Sequence, residues 1–107
     1  MERHGAVIRL RPEKTEEYLT LHASVWPDIQ QKMFECNIRN YTIFYRDGWL
    51  FNYYEYIGDD HAADMERIAA DPLTQKWWEL CMPCQEPVAD RAPGEWWASM
   101  PEAYHQD

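Results

Sequence analysis

The sequence predicts an α+β fold in which four strands form a ferredoxin-like sheet with the helices on one face. Two observations lead to this prediction. Strand-like and helix-like segments follow one another in the order strand, helix, strand, strand, helix, strand, which is the split βαβ pattern. The chain has 107 residues, enough for one two-layer core but not for two. We therefore expect a single domain spanning residues 1–107.

The first strand and the first helix are predicted near the start of the chain. Gly5–Leu10 is a short β-prone run, closed by Pro12. From Glu13 to Met33, apolar or aromatic side chains recur at three- and four-residue spacing, which is typical of an amphipathic helix. Pro27 lies inside this pattern, so we expect the helix to kink or restart there.

A hairpin and two further helices are predicted in the middle of the chain. Asn40–Tyr56 holds two β-branched and aromatic runs joined at Asp47-Gly48, a dipeptide that favours a tight hairpin turn. The acids at 59–60 can cap a helix. Asp71-Pro72 places a cap residue before a proline that can open the next helix, and Pro83 ends that helix.

The last strand is predicted at Trp96–Met100, after a loop over Gln85–Gly94. Pro101 weakens this strand or confines it to the sheet edge. Helices on one face leave the other face of the sheet bare, with many aromatic side chains from the hairpin and the last strand. Large exposed apolar patches usually mark interfaces. We therefore expect two copies to pair through these faces as a homodimer.

Charge and hydropathy narrow the possible partners. Ten Lys and Arg against 19 Asp and Glu give a formal net charge of -9. This charge repels phosphate groups, so nucleic acids and anionic membranes are poor partners and a neutral ligand fits better. No apolar run approaches the ~20 residues of a membrane span, and the N-terminus lacks the pattern of a secretion signal. We expect a soluble, cytoplasmic protein.

Tyr18 and His22 are the first candidates for chemistry. They are four residues apart, so both project from the same face of the predicted helix, towards the sheet. A histidine there either packs in the core, bonded to a backbone carbonyl, or lines a cavity as an acid or base. Its ordinary pKa of roughly 6.5 suits the second role. The pattern alone leaves both interpretations open.

Trp77 and Trp78 are the second candidates. Adjacent helical residues point about 100° apart, so we expect one indole to pack and the other to line a pocket. An indole face is a platform for the C–H side of a sugar ring or for a methyl group. Tyr41, at the start of its strand, can supply a phenol to the same cavity. Packing alone remains an alternative for both indoles.

The three cysteines predict neither a redox site nor a metal site. Their odd number makes reduced thiols the expectation. Cys81 and Cys84 form a CxxC motif, but the motif follows a helix, where the dipole does not lower a thiol pKa. A structural zinc would need two further ligands at close spacing, and only Cys36 and scattered histidines remain. We expect no metal.

Three motifs, in this order and spacing, resemble the L-rhamnose mutarotase family. The resemblance spans residues 5 to about 84, and the motifs are Glu16-Glu17-Tyr18-x(3)-His22-x(3)-Trp26-Pro27, Asn40-Tyr41-x-Ile43 and Asp71-x(4)-Lys76-Trp77-Trp78. It implies a dimeric α+β barrel without metal or organic cofactor. It also implies a mutarotase that interconverts the α and β anomers of a 6-deoxy-L-hexose, L-rhamnose first and L-fucose next.

The resemblance assigns roles to residues already singled out. It implies that His22 is the proton donor and that the sugar is contacted by Tyr18, Tyr41, Trp77 and Trp78. After Cys84 the chain departs from the pattern: many relatives have an Asn-Pro-Asp-Asn-Ser-Pro stretch, whereas this chain reads Gln-Glu-Pro-Val-Ala-Asp-Arg-Ala-Pro-Gly-Glu-Trp-Trp at 85–97 and has Pro101 in its last segment. Two other functions stay open on this fold: a cofactorless monooxygenase or small haem-degrading protein, and a non-catalytic binding module.

Overall fold

One antiparallel sheet carries four α-helices on a single face in the computed structural model, which describes residues 1–107. A single 3₁₀ turn precedes the first helix and another follows the last helix. The elements are β1 (Glu2–Leu10), α1 (Thr15–Ala23), α2 (Pro27–Glu35), β2 (Ile38–Arg46), β3 (Trp49–Tyr56), α3 (His61–Ala70), α4 (Pro72–Cys81), β4 (Gln85–Glu86) and β5 (Ala98–Met100). The predicted α+β class is confirmed.

The strands are ordered β2-β3-β1-β4, and every pairing is antiparallel. This is the ferredoxin-like arrangement that the sequence predicts. The position beside β1 is shared by two short strands. β4 pairs with Arg9 and Leu10 at one end of β1, and β5 pairs with Gly5–Val7 further along.

The predicted last strand is therefore wrong in its extent. It begins at Ala98 rather than at Trp96, and Gln85–Glu86, predicted as loop, forms a strand. The cause lies in the turn before β5, where the Glu95 carboxylate accepts hydrogen bonds from the backbone N–H groups of Ala92 and Ser99. This turn holds position 96 outside the strand.

Local backbone chemistry sets the helix caps and the break at Pro27 as predicted, whereas β1 begins at Glu2 rather than Gly5 and β2 at Ile38 rather than Asn40. The helix over 13–33 breaks before Pro27, which opens α2. Asp60 caps α3 by accepting from the backbone N–H of Ala63 at 3.1 Å, and Asp71 caps α4 through Thr74 at 2.9 Å.

The β2–β3 turn has φ values of 47° at Asp47 and 83° at Gly48. Positive φ at both central residues is the geometry that such a hairpin requires.

The core fills the space between the sheet and the helices. Its larger cluster of buried residues comprises Ile8, Leu10, Tyr18, Ile29, Leu50, Trp77, Cys81 and Cys84. A smaller cluster comprises Cys36, Ile38, Tyr56 and Ile68. Together they fix α1, α2, α3 and α4 against β1, β2 and β3.

The opposite face of the sheet carries an apolar row whose two phenylalanines are exposed. Strand register places Phe44 beside Phe51, Phe51 beside Val7, and Val7 beside Ala98. Phe44 is 62% exposed and Phe51 37%. The bare face and its hairpin aromatics are confirmed, but the last-strand part of the prediction is wrong, because Trp96 and Trp97 line the cavity on the helix side. None of the four helices is long and apolar enough to cross a membrane.

Candidate active site

The residues that the sequence singles out for chemistry meet in one cavity between the helix side of the sheet and α1, α2 and α4. The cavity has a volume of about 770 Å³ and a mainly apolar lining, as small-molecule sites usually do. The predicted site residues that line it are Tyr18, His22, Tyr41, Trp77 and Trp78.

His22 lies in the last turn of α1 with one ring nitrogen fixed by the backbone. Its Nδ1 is 2.9 Å from the carbonyl oxygen of Tyr18. Because a carbonyl only accepts, Nδ1 carries the hydrogen, and Nε2 of the neutral ring keeps its lone pair. The ring stacks on Tyr18 at 4.1 Å between centroids and meets Trp77 edge-on at 5.4 Å. His22 is thus both bonded to a carbonyl and part of the cavity wall.

Burial decides the resting protonation state of His22. It lowers the pKa of this imidazole below its ordinary 6.5, and the hydrogen bond to the Tyr18 carbonyl opposes the shift only in part. The ring is therefore neutral at pH 7. A neutral imidazole with a free Nε2 can accept a proton from a bound hydroxyl group.

The Tyr18 hydroxyl is held by a buried amide. Gln85 Nε2 donates to it at 3.1 Å, and Gln85 Oε1 accepts from Trp96 Nε1 at 2.8 Å. Burial raises the pKa of Tyr18 well above its ordinary value. The phenol therefore keeps its proton at neutral pH and can donate it in a hydrogen bond.

Tyr41 reaches the cavity beside an irregularity in β2. The register against β3 shifts between Arg39 and Thr42, and Asn40 has a φ of 54°. Such bulges re-aim neighbouring side chains. The Tyr41 hydroxyl accepts a long hydrogen bond, 3.4 Å, from Asn52 Nδ2, and burial raises its pKa to about 12. This phenol also stays protonated.

The two adjacent indoles differ in burial. Trp77 belongs to the larger core cluster and packs edge-on against Trp26 at 5.1 Å between centroids. Trp78 is half-buried at the edge of both clusters. Both line the cavity. The two indoles therefore differ in how deeply they are buried, rather than one packing in the core and only the other lining the pocket.

The CxxC thiols are free and buried. Burial raises the pKa of Cys81 to about 12 and that of Cys84 to about 11, and the Cys84 thiol donates to Glu17. The prediction that this motif does not have a lowered thiol pKa is confirmed. No three His, Cys, Asp or Glu side chains form a group that could hold a metal ion.

The fold is shared with solved structures. An L-rhamnose mutarotase from Formosa agariphila superimposes with a TM-score of 0.78, at 20% identity and with both chains covered completely. The tetracenomycin F2 cyclase of Streptomyces glaucescens gives a TM-score of 0.75 at 19% identity, over all of this chain and 98% of that one. At these identities the likeness concerns the fold alone.

The sequence comparison is more specific. Residues 3–106 match the family model described as L-rhamnose mutarotase. The chain belongs to the L-rhamnose mutarotase family. Relatives named L-rhamnose mutarotase in Oceanobacillus iheyensis and Lactiplantibacillus plantarum are 28% and 30% identical, with both chains covered completely in each case. The resemblance carried by the three motifs is confirmed, as is the prediction of an isomerase.

Sequence reasoning missed part of the cavity of this mutarotase-family member. Asn52, Gln85, Trp96 and Trp97 also line it. Asn52 lies on a strand that the sequence pattern describes only as β-prone, and the pattern at Gln85 predicts a loop. The segment after Cys84 lies outside the three motifs, so no signal in the sequence linked it to the site.

Proposed function

We propose that this protein interconverts the α and β anomers of L-rhamnose, with L-fucose as the next candidate among 6-deoxy-L-hexoses. One observation carries the proposal: a neutral histidine with a free Nε2 shares a cavity with two protonated phenols, in a chain of the L-rhamnose mutarotase family. Full-length relatives named for L-rhamnose support the choice of sugar.

His22 acts first as a base and then as the proton donor. Nε2 takes the proton of the anomeric hydroxyl while the bond between C1 and the ring oxygen breaks and C1 becomes the aldehyde carbon. The imidazolium gives that proton to the former ring oxygen. Rotation about C1–C2 presents the other carbonyl face, and ring closure runs the same steps in reverse. No proton is gained or lost overall, and a single histidine within reach of both oxygens suffices.

Tyr18 and Tyr41 bind the sugar as hydrogen-bond donors. Both phenols receive an amide N–H, from Gln85 and Asn52 respectively, so each hydroxyl has its own proton to donate. Donation to the oxygen on which negative charge develops stabilises the ring-opening transition state.

The indoles select a neutral, partly apolar sugar. Trp77 and Trp78 present aromatic surface to the cavity, and burial of a C6 methyl group contributes about 25 cal/mol per Å² of apolar area. The formal net charge of -9 disfavours phosphorylated sugars.

Saturation-transfer proton NMR tests the activity directly. With micromolar protein, we expect saturation of the α anomeric signal of L-rhamnose to transfer to the β signal. D-Glucose serves as the control sugar. The same measurement with L-fucose shows how exchange of the second candidate compares with that of L-rhamnose. Binding of L-rhamnose without transfer would favour a non-catalytic module. No transfer for any sugar, with an absorbance change on adding haem or a quinol, would favour the haem-degrading or monooxygenase alternative.

The proposal includes a homodimer formed through the bare sheet face. Phe44 and Phe51 are exposed and lie side by side on β2 and β3, and water contact with such aromatic surface is unfavourable. Pairing of two identical faces about a two-fold axis removes it from water.

Phe44→Glu should convert the dimer to a monomer, because pairing of the two faces would then bury an unpaired carboxylate in each copy. Size-exclusion chromatography with light scattering gives the mass, 12.9 kDa per chain. Leu19→Glu is the matched control, since Leu19 is an exposed apolar residue on α1. A wild-type monomer at micromolar concentration would contradict the dimer.

A further inference from the structure

Three side chains form a hydrogen-bonded line into the cavity from the segment that follows Cys84. Trp96 Nε1 is 2.8 Å from Gln85 Oε1, and Gln85 Nε2 is 3.1 Å from the Tyr18 hydroxyl. Gln85 is 4% exposed and Tyr18 2%. The line joins residues 67 positions apart in the chain.

Chemistry fixes the direction of this line. An indole N–H only donates, so the Gln85 atom beside Trp96 must be the amide oxygen. The amide NH₂ then faces Tyr18 and donates, so the phenol oxygen accepts. The proton of Tyr18 cannot lie along the same axis and must point to another acceptor.

No protein acceptor takes that proton, since the single hydrogen bond of the Tyr18 hydroxyl is the one that it accepts from Gln85. Tyr18 lines the cavity beside His22. A sugar oxygen bound there is therefore the natural acceptor, and each bond in the line polarises the next one.

The middle member of the line is held rigidly. Gln85 opens β4 and pairs with Leu10 of β1. The residue before it, Cys84, accepts a backbone hydrogen bond from Arg11 at 2.9 Å. With backbone and side chain both fixed, the amide loses little further freedom when it orients Tyr18.

Tyr41 provides the contrast within the same cavity. Its amide partner Asn52 donates over 3.4 Å, and Asn52 Oδ1 has no partner to set the direction of the amide. Only the Tyr18 phenol is oriented by a donor of fixed polarity.

We propose that Trp96 and Gln85 are positioning residues that aim the Tyr18 hydroxyl proton at the sugar, so that the segment after Cys84 forms part of the mutarotase site. The proposal rests on the function proposed above. It assigns a role to a region where the chain departs from the motifs of its family.

Gln85→Glu tests the direction of the line without changing its shape. With its carboxyl ionised, the introduced side chain only accepts, so it takes the Tyr18 proton for itself and turns it away from the sugar. We expect kcat for L-rhamnose exchange to fall about 10²-fold, the usual cost of one lost transition-state donor. Gln75→Glu is the matched control, because it makes the same change at an exposed position on α4, and we expect it to keep wild-type exchange.

A double-mutant cycle separates positioning from structural damage. In a Tyr18→Phe background, Gln85→Glu should have no further effect on kcat, since there is no phenol to misdirect. Full additivity of the two losses would overturn the proposal.

Trp96→Phe is the second variant, in case a carboxylate at 85 prevents folding. It keeps an aromatic ring in the cavity wall and removes only the indole N–H that orients the Gln85 amide. We expect kcat to fall about 3- to 10-fold, the worth of one hydrogen bond, with KM changed less than kcat. An active wild type with unchanged kcat in both variants would overturn this inference alone. An inactive wild type would instead overturn the proposed function.

Discussion

His22→Asn will fold, bind L-rhamnose and lose anomer exchange by about 10²- to 10⁴-fold, the share that one acid–base group supplies. Asparagine Nδ2 can replace the hydrogen bond from Nδ1 to the Tyr18 carbonyl, but the variant has no Nε2 lone pair. Saturation-transfer NMR gives the exchange rate, and a ligand-induced rise in Tm reports sugar binding. His105→Asn, in the exposed C-terminal tail, is the control. A near-wild-type rate in His22→Asn would remove this residue from the mechanism.

The pH dependence of exchange follows from the same residue. Because burial lowers the pKa of His22, the neutral form that accepts a proton persists below the ordinary 6.5. After subtraction of spontaneous mutarotation, we expect a constant rate at neutral pH that declines only as the pH falls through this lowered pKa. His22→Asn should lack that decline, and a rate that increases towards acid would contradict the base role.

Trp77→Ala will have the largest effect on stability, about 3–5 kcal/mol in the free energy of unfolding. Trp77 is 5% exposed and is packed edge-on against both His22 and Trp26, so truncation leaves a void in the core. That loss is a large fraction of the roughly 5–15 kcal/mol by which domains are stable. Urea denaturation monitored by circular dichroism measures it.

Trp78→Ala is the matched comparison, because Trp78 is adjacent, half-buried and also lines the cavity. We expect Trp78→Ala to lose less stability than Trp77→Ala, under about 2 kcal/mol. We also expect it to raise the KM for the sugar more than Trp77→Ala does. Equal effects of the two substitutions on stability and on KM would contradict the division between a packing indole and a binding indole.

Local chemistry explains why so much of the fold could be predicted. Pro27 cannot continue a helix, and Asp47-Gly48 accepts the positive φ values of the turn. Asp60 and Asp71 satisfy the first backbone N–H groups of their helices. Each of these signals acts within a few residues, so each could be recognised without knowing the packing.

The candidate site divides in the same way. The spacing of Tyr18 and His22 by one helical turn determines that they share a face, and the observed ring stacking follows from it. The family motifs add Tyr41, Trp77 and Trp78. The sequence by itself therefore determined most of the elements, the family and five of the residues that line the cavity.

Only the tertiary structure decided what surrounds them. The edge beside β1 is filled by two short strands, β4 and β5, and the turn at Glu95 lies just before β5. Pairing of β4 with β1 places Gln85 against Tyr18, 67 positions away in the chain, and Trp96 bonds to Gln85 from the turn before β5. Such contacts depend on how whole elements pack against one another, since no periodicity along the chain specifies which distant side chains will meet. The direction of the Tyr18 proton is set by packing of this kind.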